Sequence, residues 1–336
     1  MRLSLISLKN NSVEKVREYL ERLKDQSAQN FEVILCLTEN SKAIFKVAKD
    51  YYQFFGNRLI MIFNTKSTSY QHNLISAFRV AKGKFITVLN SDSTFKDSYV
   101  ENILEQAQRW NVDVLEFKPK LIGSVRFKPK ERTEMSQMFD LTKNSLPLAY
   151  SFPFIFDKVF KKSLIKKFIK YRPQISNDSI MCIEVTYTLL MNAKKYKYLD
   201  YRVKRDFISS DIWLNTQNYV KSFDIIKQIA KNQNLKINEE LEYAKYYFLK
   251  LLLSGFLKAN YFFYKLFNVQ DDEVSEKRSS FLNDKHAEII KKIEDTADFQ
   301  TFLTTNYYVL LDNDETKLLK TKFSKLKADK LLKGLE

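Results

Sequence analysis

Apolar residues gather in short continuous runs along the first third of the chain: LSLISL (3–8), FEVILCL (31–37), LIMIF (59–63), KFITVLN (84–90) and VDVLEF (112–117). Between them, at 13–26, 41–55, 70–83 and 99–110, apolar positions recur every three or four residues. Unbroken apolar runs predict strands buried on both faces. Helices of 10–15 residues between such strands predict βαβ units and a mainly parallel sheet. Ser12, ahead of Glu14, predicts an N-cap for the first helix, and Gly83 stands where a helix C-cap is needed before the fourth strand.

The pattern changes after residue 117. All five prolines (119, 129, 147, 153 and 173) fall between 118 and 176, which predicts loops and short elements. A helical pattern returns over about 177–193, followed by a strand-like YKYLDYRV at 196–203. From 215 onward the pattern is helical and free of proline. This predicts an α/β domain over 1–214, with its own division near 117/118, and an all-helical module over 215–336. The most apolar stretch, 246–269, carries Lys250, Lys258 and Lys265, too many charges for a spanning helix. At 100° per residue the three lysines fall on one helix face, which suits either a packed helix or an interfacial one. Residues 1–8 are too short for a signal core and predict a cytoplasmic chain.

Composition narrows the function classes. Five glycines are too few for a Gly-rich dinucleotide fingerprint or a P-loop, and two cysteines cannot make a disulfide framework. The net charge of +16 asks for an anionic partner: nucleic acid, an anionic membrane or an anionic cosubstrate. The excess is regional. Residues 1–214 carry +14, and 116–172 alone carry +9. No recognition-helix module or aromatic-interleaved basic motif accompanies it, so nucleic acid is not expected.

In open parallel sheets, ligands bind beyond the carboxyl ends of the strands. Three polar segments qualify: Thr38-Glu39-Asn40-Ser41 after the second strand, Asn90-Ser91-Asp92 after the fourth, and Ser176-Asn177-Asp178 before the later helix. Such side chains can read a nucleotide, hold a hard cation, or act as a general base. Each acid could equally be a helix cap. His72 and His286 have no partner in sequence and read as structural, as do Cys36, Cys182 and Trp110. Trp213 is an open candidate for acceptor contact.

Taken together the segments resemble a family 2 glycosyltransferase of the GT-A fold, over roughly residues 3–211. Ser4 to Asn11 stands at the family's first strand and turn. Leu23-x-x-Gln26-Ser27, followed by Asn30 to Leu35, is similar to its second-strand motif. Ala81-Lys82-Gly83-Lys84-Phe85-Ile86 resembles its Ala-x-Gly-x-Tyr-Ile run, and Asn90-Ser91-Asp92 falls at its Asp-x-Asp. Asp157 to Leu164 resembles an Asn-Lys-Leu-Phe-x-x-Ser-Leu segment, Asn177-Asp178 a Glu-Asp pair, and Tyr201-Arg202-Val203 with Ser209-Ser210 a Tyr-Arg-x-x-x-x-Ser-x-Ser strand.

The resemblance implies a Rossmann-like GT-A domain, with a nucleotide-binding part over 1–117, an acceptor-side part over 118–214 and the helical module after it. It implies an inverting, metal-dependent transfer of a hexose from a UDP-sugar to a lipid or glycan acceptor, by a peripheral protein at the inner face of the cell membrane. Leu8, Asn10, Glu39, Asn90, Ser91 and Asp92 would bind the nucleotide sugar. Asp92 would hold Mg²⁺ or Mn²⁺, and Asp178 would deprotonate the acceptor. The basic segment and the lysine-striped helix would meet an anionic membrane. Asn90 and Asn177 stand where the family has acids, and Leu8 and Asn10 where it has Pro and Tyr. These departures keep a catalytically silent relative, acting as a binding or scaffold protein, as the second expectation.

Overall fold

The computed structural model describes residues 2–37, 41–64, 69–132, 137–175, 179–208, 214–267 and 273–336. They form two compact units. The first comprises Met1–Pro119, Glu134–Asn144 and Phe154–Phe207; the second comprises Lys120–Thr133, Ser145–Pro153 and Ile208–Glu336.

Ten strands belong to the first unit: β1 (Leu3–Ser7), β2 (Phe31–Leu37), β3 (Leu59–Phe63), β4 (Phe85–Val88), β5 (Thr94–Phe95), β6 (Val114–Phe117), β7 (Met138–Asp140), β8 (Lys158–Lys161), β9 (Lys195–Leu199) and β10 (Lys204–Ile208). All but β5 and β10 make one eight-stranded sheet in the order β3-β2-β1-β4-β8-β6-β9-β7. β1 to β4 run parallel, as do β6 and β9. β8 enters antiparallel between β4 and β6, and β7 closes one edge antiparallel to β9. The longer helices of this unit are α1 (Val13–Lys24), α2 (Ser41–Asp50), α3 (Tyr70–Val80), α4 (Tyr99–Trp110) and α5 (Ile183–Met191). This mainly parallel sheet with flanking helices is the expected GT-A architecture.

β1 and β2 are buried at every position, as their continuous apolar runs require. α1 presents Val16, Tyr19, Leu20 and Leu23 to the core, at helical spacing. Its N-cap is Ser12, whose hydroxyl accepts from the Lys15 N–H at 3.3 Å.

Four local expectations change. The helical pattern at 41–55 breaks at Tyr51 into α2 and a single turn, and the chain then turns at Gly56 with φ 54°, a conformation glycine tolerates. Gly83 is not a helix cap. α3 ends at an extended Ala81, and a Cβ on Gly83 would lie 2.5 Å from the Ser4 nitrogen, so glycine is there to let the chain pass against β1. The strand-like run at 196–203 ends at Leu199. The chain bends, and β10 then pairs with β5 (Lys204 opposite Phe95) outside the main sheet. The helix expected from about 177 begins, among the described residues, at Ile183, after Cys182 at φ 51°.

In the second unit α6 (Thr216–Asn232) is followed by α7 (Asn238–Tyr246). This runs through a π-helical stretch, Tyr247–Leu253, into α8 (Ser254–Phe267). α9 (Glu273–Glu294), α10 (Ala297–Thr305), α11 (Asp314–Lys320) and α12 (Ala328–Gly334) follow, beside the shorter helices Leu146–Tyr150 and Tyr307–Leu310 and the short strand Leu121–Gly123. The Arg132 side chain is buried here. Its guanidinium binds Glu315 through two 2.9 Å bonds and lies 3.3 Å from the centre of the Tyr247 ring. The Tyr243 hydroxyl donates to the same carboxylate at 3.1 Å.

The lysine stripe of 246–269 does not form one exposed face. Lys250 is buried, donates to the Leu319 carbonyl at 2.8 Å and pairs with Glu294 at 2.5 Å. His286, expected on an exposed helix, is also buried, between Thr216 (2.8 Å) and Ser254 (2.7 Å). Among the described residues no helix is long and apolar enough to cross a membrane.

Candidate active site

The carboxyl ends of β1 and β4 lie side by side, because these strands pair in parallel register, Leu3 with Phe85 through Ile6 with Val88. The loops that leave them are latched together by three hydrogen bonds, and a fourth braces the β1 loop itself. The Leu8 N–H donates to Asn90 Oδ1 at 3.0 Å. The Ser91 N–H donates to Ser7 Oγ at 3.0 Å, and Ser91 Oγ donates to the Lys9 carbonyl at 2.6 Å. Ser7 Oγ in turn donates to Asn10 Oδ1 at 2.7 Å. Asn10 Nδ2 ties the turn to the neighbouring strand through the Cys36 carbonyl at 2.9 Å. A loop end buried in this way must find partners for its backbone groups, and the short polar side chains supply them.

Of the expected site residues, Leu8, Asn10, Asn90 and Ser91 are therefore buried framework, each at most 5% exposed. Asp92 is the carboxylate that reaches the surface of the cradle. Glu39 and Asp178, with Thr38, Asn40, Asn177 and Trp213, lie outside the described residues.

Asp92 is not alone. Lys9 Nζ lies 2.9 Å from its Oδ2, and the two side chains are 14% and 13% exposed. The Phe207 ring stands 5.6 Å from the same ammonium. Behind them is a second pair, in which Ser93 Oγ donates to Asp206 at 3.1 Å and Lys204 binds the same carboxylate. Burial pushes the Asp206 carboxyl above its ordinary range, opposed by the adjacent Lys204 and reinforced by Asp92. Two ion pairs thus stand at this strand end, with their carboxylates near enough for Asp92 to act on Asp206.

The described residues do not fit a divalent cation. A hard cation needs oxygen ligands free to face it. Here the Asn90 oxygen is spent on a backbone N–H, and Asp92 already carries an ammonium on Oδ2. No group of three or more His, Cys, Asp or Glu capable of holding a metal occurs among the described residues.

Three further groups frame the site: Glu32 and Lys158, which lie within the motifs that carry the resemblance, and Glu184, which lies outside them. Glu32, buried in β2, accepts from Ser4 Oγ at 2.6 Å, from the Gly83 N–H at 3.2 Å and from the Lys82 N–H, tying β1, β2 and the entry to β4. Glu184, in the first turn of α5, accepts from the Tyr171 hydroxyl at 2.6 Å and from the Gln174 and Ile175 N–H groups at 2.9 and 3.3 Å. It thereby anchors the loop that leads toward 176–178. Lys158 lies wholly buried beside Glu116 (3.1 Å) and Asp157 (2.7 Å), and burial raises the Asp157 carboxyl against the pull of Lys158. The Asp157-Lys158 segment is in this way an ion pair inside the sheet, with Lys158 directly opposite Glu116 in register.

Residues 5–171 match the sequence profile of glycosyl transferase family 2. The chain belongs to this family through that domain. In fold this glycosyltransferase is similar to the crystal structure of S. aureus TarS 1–349 in complex with UDP-GlcNAc. The TM-score is 0.57 at 16% identity, over 95% of this chain and 90% of that one. The TarS 1–349 complex with UDP gives 0.54 at 17% identity, over 76% and 71%. The mannosyltransferase PcManGT from Pyrobaculum calidifontis, in complex with GDP-Man and Mn²⁺, gives 0.51 at 13% identity, over 91% and 84%. No curated protein matches the chain. At these identities the structural likeness carries the fold alone.

Proposed function

We propose that this family 2 glycosyltransferase moves a hexose from a UDP-sugar to a lipid or glycan acceptor by a single inverting displacement at the cytoplasmic face of the membrane. The observation that carries the reading is the latched cradle at the carboxyl ends of β1 and β4, which presents Lys9 and Asp92 where an open parallel sheet binds ligands. A UDP-sugar donor is supported by the similar TarS structures, which hold UDP and UDP-GlcNAc.

In this reading Leu8, Asn10, Asn90 and Ser91 shape the floor under the diphosphate, and Glu39 contacts the uridine. Asp178 takes the proton of the acceptor hydroxyl as its oxygen bonds to the anomeric carbon. The bond from that carbon to the β-phosphate oxygen breaks, and its electron pair leaves with UDP. A lipid-linked acceptor is favoured by the cluster of basic residues at 161–172, of which Lys166, Lys167, Lys170 and Arg172 are exposed.

The test is a donor panel of UDP-glucose, UDP-galactose and UDP-N-acetylglucosamine, offered with diacylglycerol vesicles or with a soluble glycan. One donor is expected to turn over. Asp178→Asn is expected to lower kcat by about 10²–10⁴-fold with donor binding retained. Equal turnover in the two proteins overturns the assignment of the base. A second reading, a silent relative that binds without transfer, draws on Asn90 and on the charge-neutral Lys9–Asp92 pair. UDP binding with no turnover of any donor would favour it.

A further inference from the structure

The loop after β1 places a cation where none was expected. Lys9 is fixed from below by its own backbone, because its carbonyl accepts from Ser91 Oγ at 2.6 Å and so follows the β4 loop. Its side chain then has Asp92 at 2.9 Å and the Phe207 ring at 5.6 Å. Both members of the ion pair stay about one-seventh exposed, so the pair opens toward ligand while the loops beneath are sealed. A nucleoside diphosphate brings several negative charges to this spot. A loop with two acids would repel it unless a divalent ion lay between. This loop has Asn90 in place of one acid, and Lys9 balances the other.

We propose that the Lys9 ammonium, seated on Asp92, is the counter-charge for the diphosphate of the donor, so that nucleotide binding by this chain needs no divalent cation. Asp92 acts through Lys9, holding the ammonium over the cradle instead of ligating an ion. The inference rests on the proposed UDP-sugar site and specifies how its charge is met. A divalent ion on Asp92 would have to share the one carboxylate with the Lys9 ammonium already on Oδ2, against the repulsion of two adjacent cations.

The test is calorimetric titration of the full chain with UDP, and with uridine alone, in EDTA and in Mn²⁺. Wild type is expected to bind UDP in EDTA within about threefold of its affinity in Mn²⁺. Lys9→Ala is expected to weaken UDP in EDTA by about 10–100-fold, the size of one charge-assisted contact, while leaving uridine unchanged. Lys9→Arg is expected to keep most of the affinity. Binding of UDP by wild type only when Mn²⁺ is present overturns the inference and leaves the UDP-sugar reading standing. UDP affinity in EDTA that is equal in wild type and Lys9→Ala also overturns it. No UDP binding in either buffer overturns both. The two wild-type titrations decide whether a divalent ion is needed even if a variant fails to fold, and the Lys9→Arg and Lys9→Ala pair assigns the charge to Lys9.

Discussion

Asn90 Oδ1 accepts from the Leu8 N–H, and with the two Ser91 bonds this holds the β1 and β4 loops together. Asn90→Ala leaves the buried N–H without an acceptor and is expected to cost about 1–3 kcal/mol of stability. Asn90→Asp keeps an acceptor and is expected to melt within a few degrees of wild type. Equal melting of Ala and wild type would show that the latch is not formed. His286 is the residue for which pH matters. Ser254 gives its single hydroxyl proton to the Lys250 carbonyl at 2.7 Å, so it accepts from Nε2–H of His286, and Nδ1 accepts from Thr216. Burial lowers the imidazole from 6.5 to about 3. Between those values the unfolded chain holds a proton that the folded chain does not. The contribution is therefore complete above about pH 6.5 and falls by about 1.4 kcal/mol per pH unit below it. Denaturant melts of wild type and His286→Gln at pH 5 and 7.5 should show the steeper loss in wild type. Parallel loss would contradict the buried neutral ring. In the sequence His286 looked inert and exposed, because helical spacing alone does not tell which face a neighbouring helix covers.

At the scale of elements, the five strands β1 to β4 and β6 were readable from mainly apolar runs. β1, β2, β4 and β6 are buried at every position, with Ser4, Glu32, Thr87 and Glu116 among the buried residues, and β3 is only partly buried. β8 was not readable as their neighbour. Its Lys158 interrupts any apolar run in the sequence, yet sits opposite Glu116 inside the sheet. Gly83 was noticed for the wrong reason. It is needed for contact with β1, not for its dihedral angles. Gly83→Ala, with backbone atoms 2.5–2.6 Å from the new methyl, is expected to lose about 1–3 kcal/mol or more. Gly334→Ala meets nothing closer than 3.7 Å at the end of α12 and is expected to be neutral or slightly stabilising. Thermal melts of the two variants decide this, and equal shifts would refute the close approach. Glu184 belongs to the same scale. Glu184→Ala releases the anchor of the 171–175 loop and is expected to lower kcat more than it raises KM, as measured by initial rates over a donor series.

For the whole molecule, the +16 charge reads differently once burial is known. The side chains of Arg132, Lys158, Lys204 and Lys250 lie buried beside Glu315, Glu116 and Asp157, Asp206 and Glu294, so these cations are already balanced inside each unit and the +16 excess is carried by the other basic side chains. Arg132→Ala is expected to destabilise the second unit by about 3–5 kcal/mol, because Glu315 would keep an unpaired buried charge. The double variant Arg132→Met with Glu315→Leu is expected to recover much of that in denaturant melts. A double variant as unstable as the single one would place the cost in packing and not in charge. The order of apolar runs and helices was enough to specify an α/β fold with a helical module after it, since periodicity follows from which faces meet water. Asn90, Ser91 and Asp92 could be picked out because ligand sites follow strand ends. Lys9 on Asp92, Glu184 under its loop and the buried lysines had to come from the folded chain. Each depends on which distant residue a charge meets, and one-dimensional spacing carries no such distance.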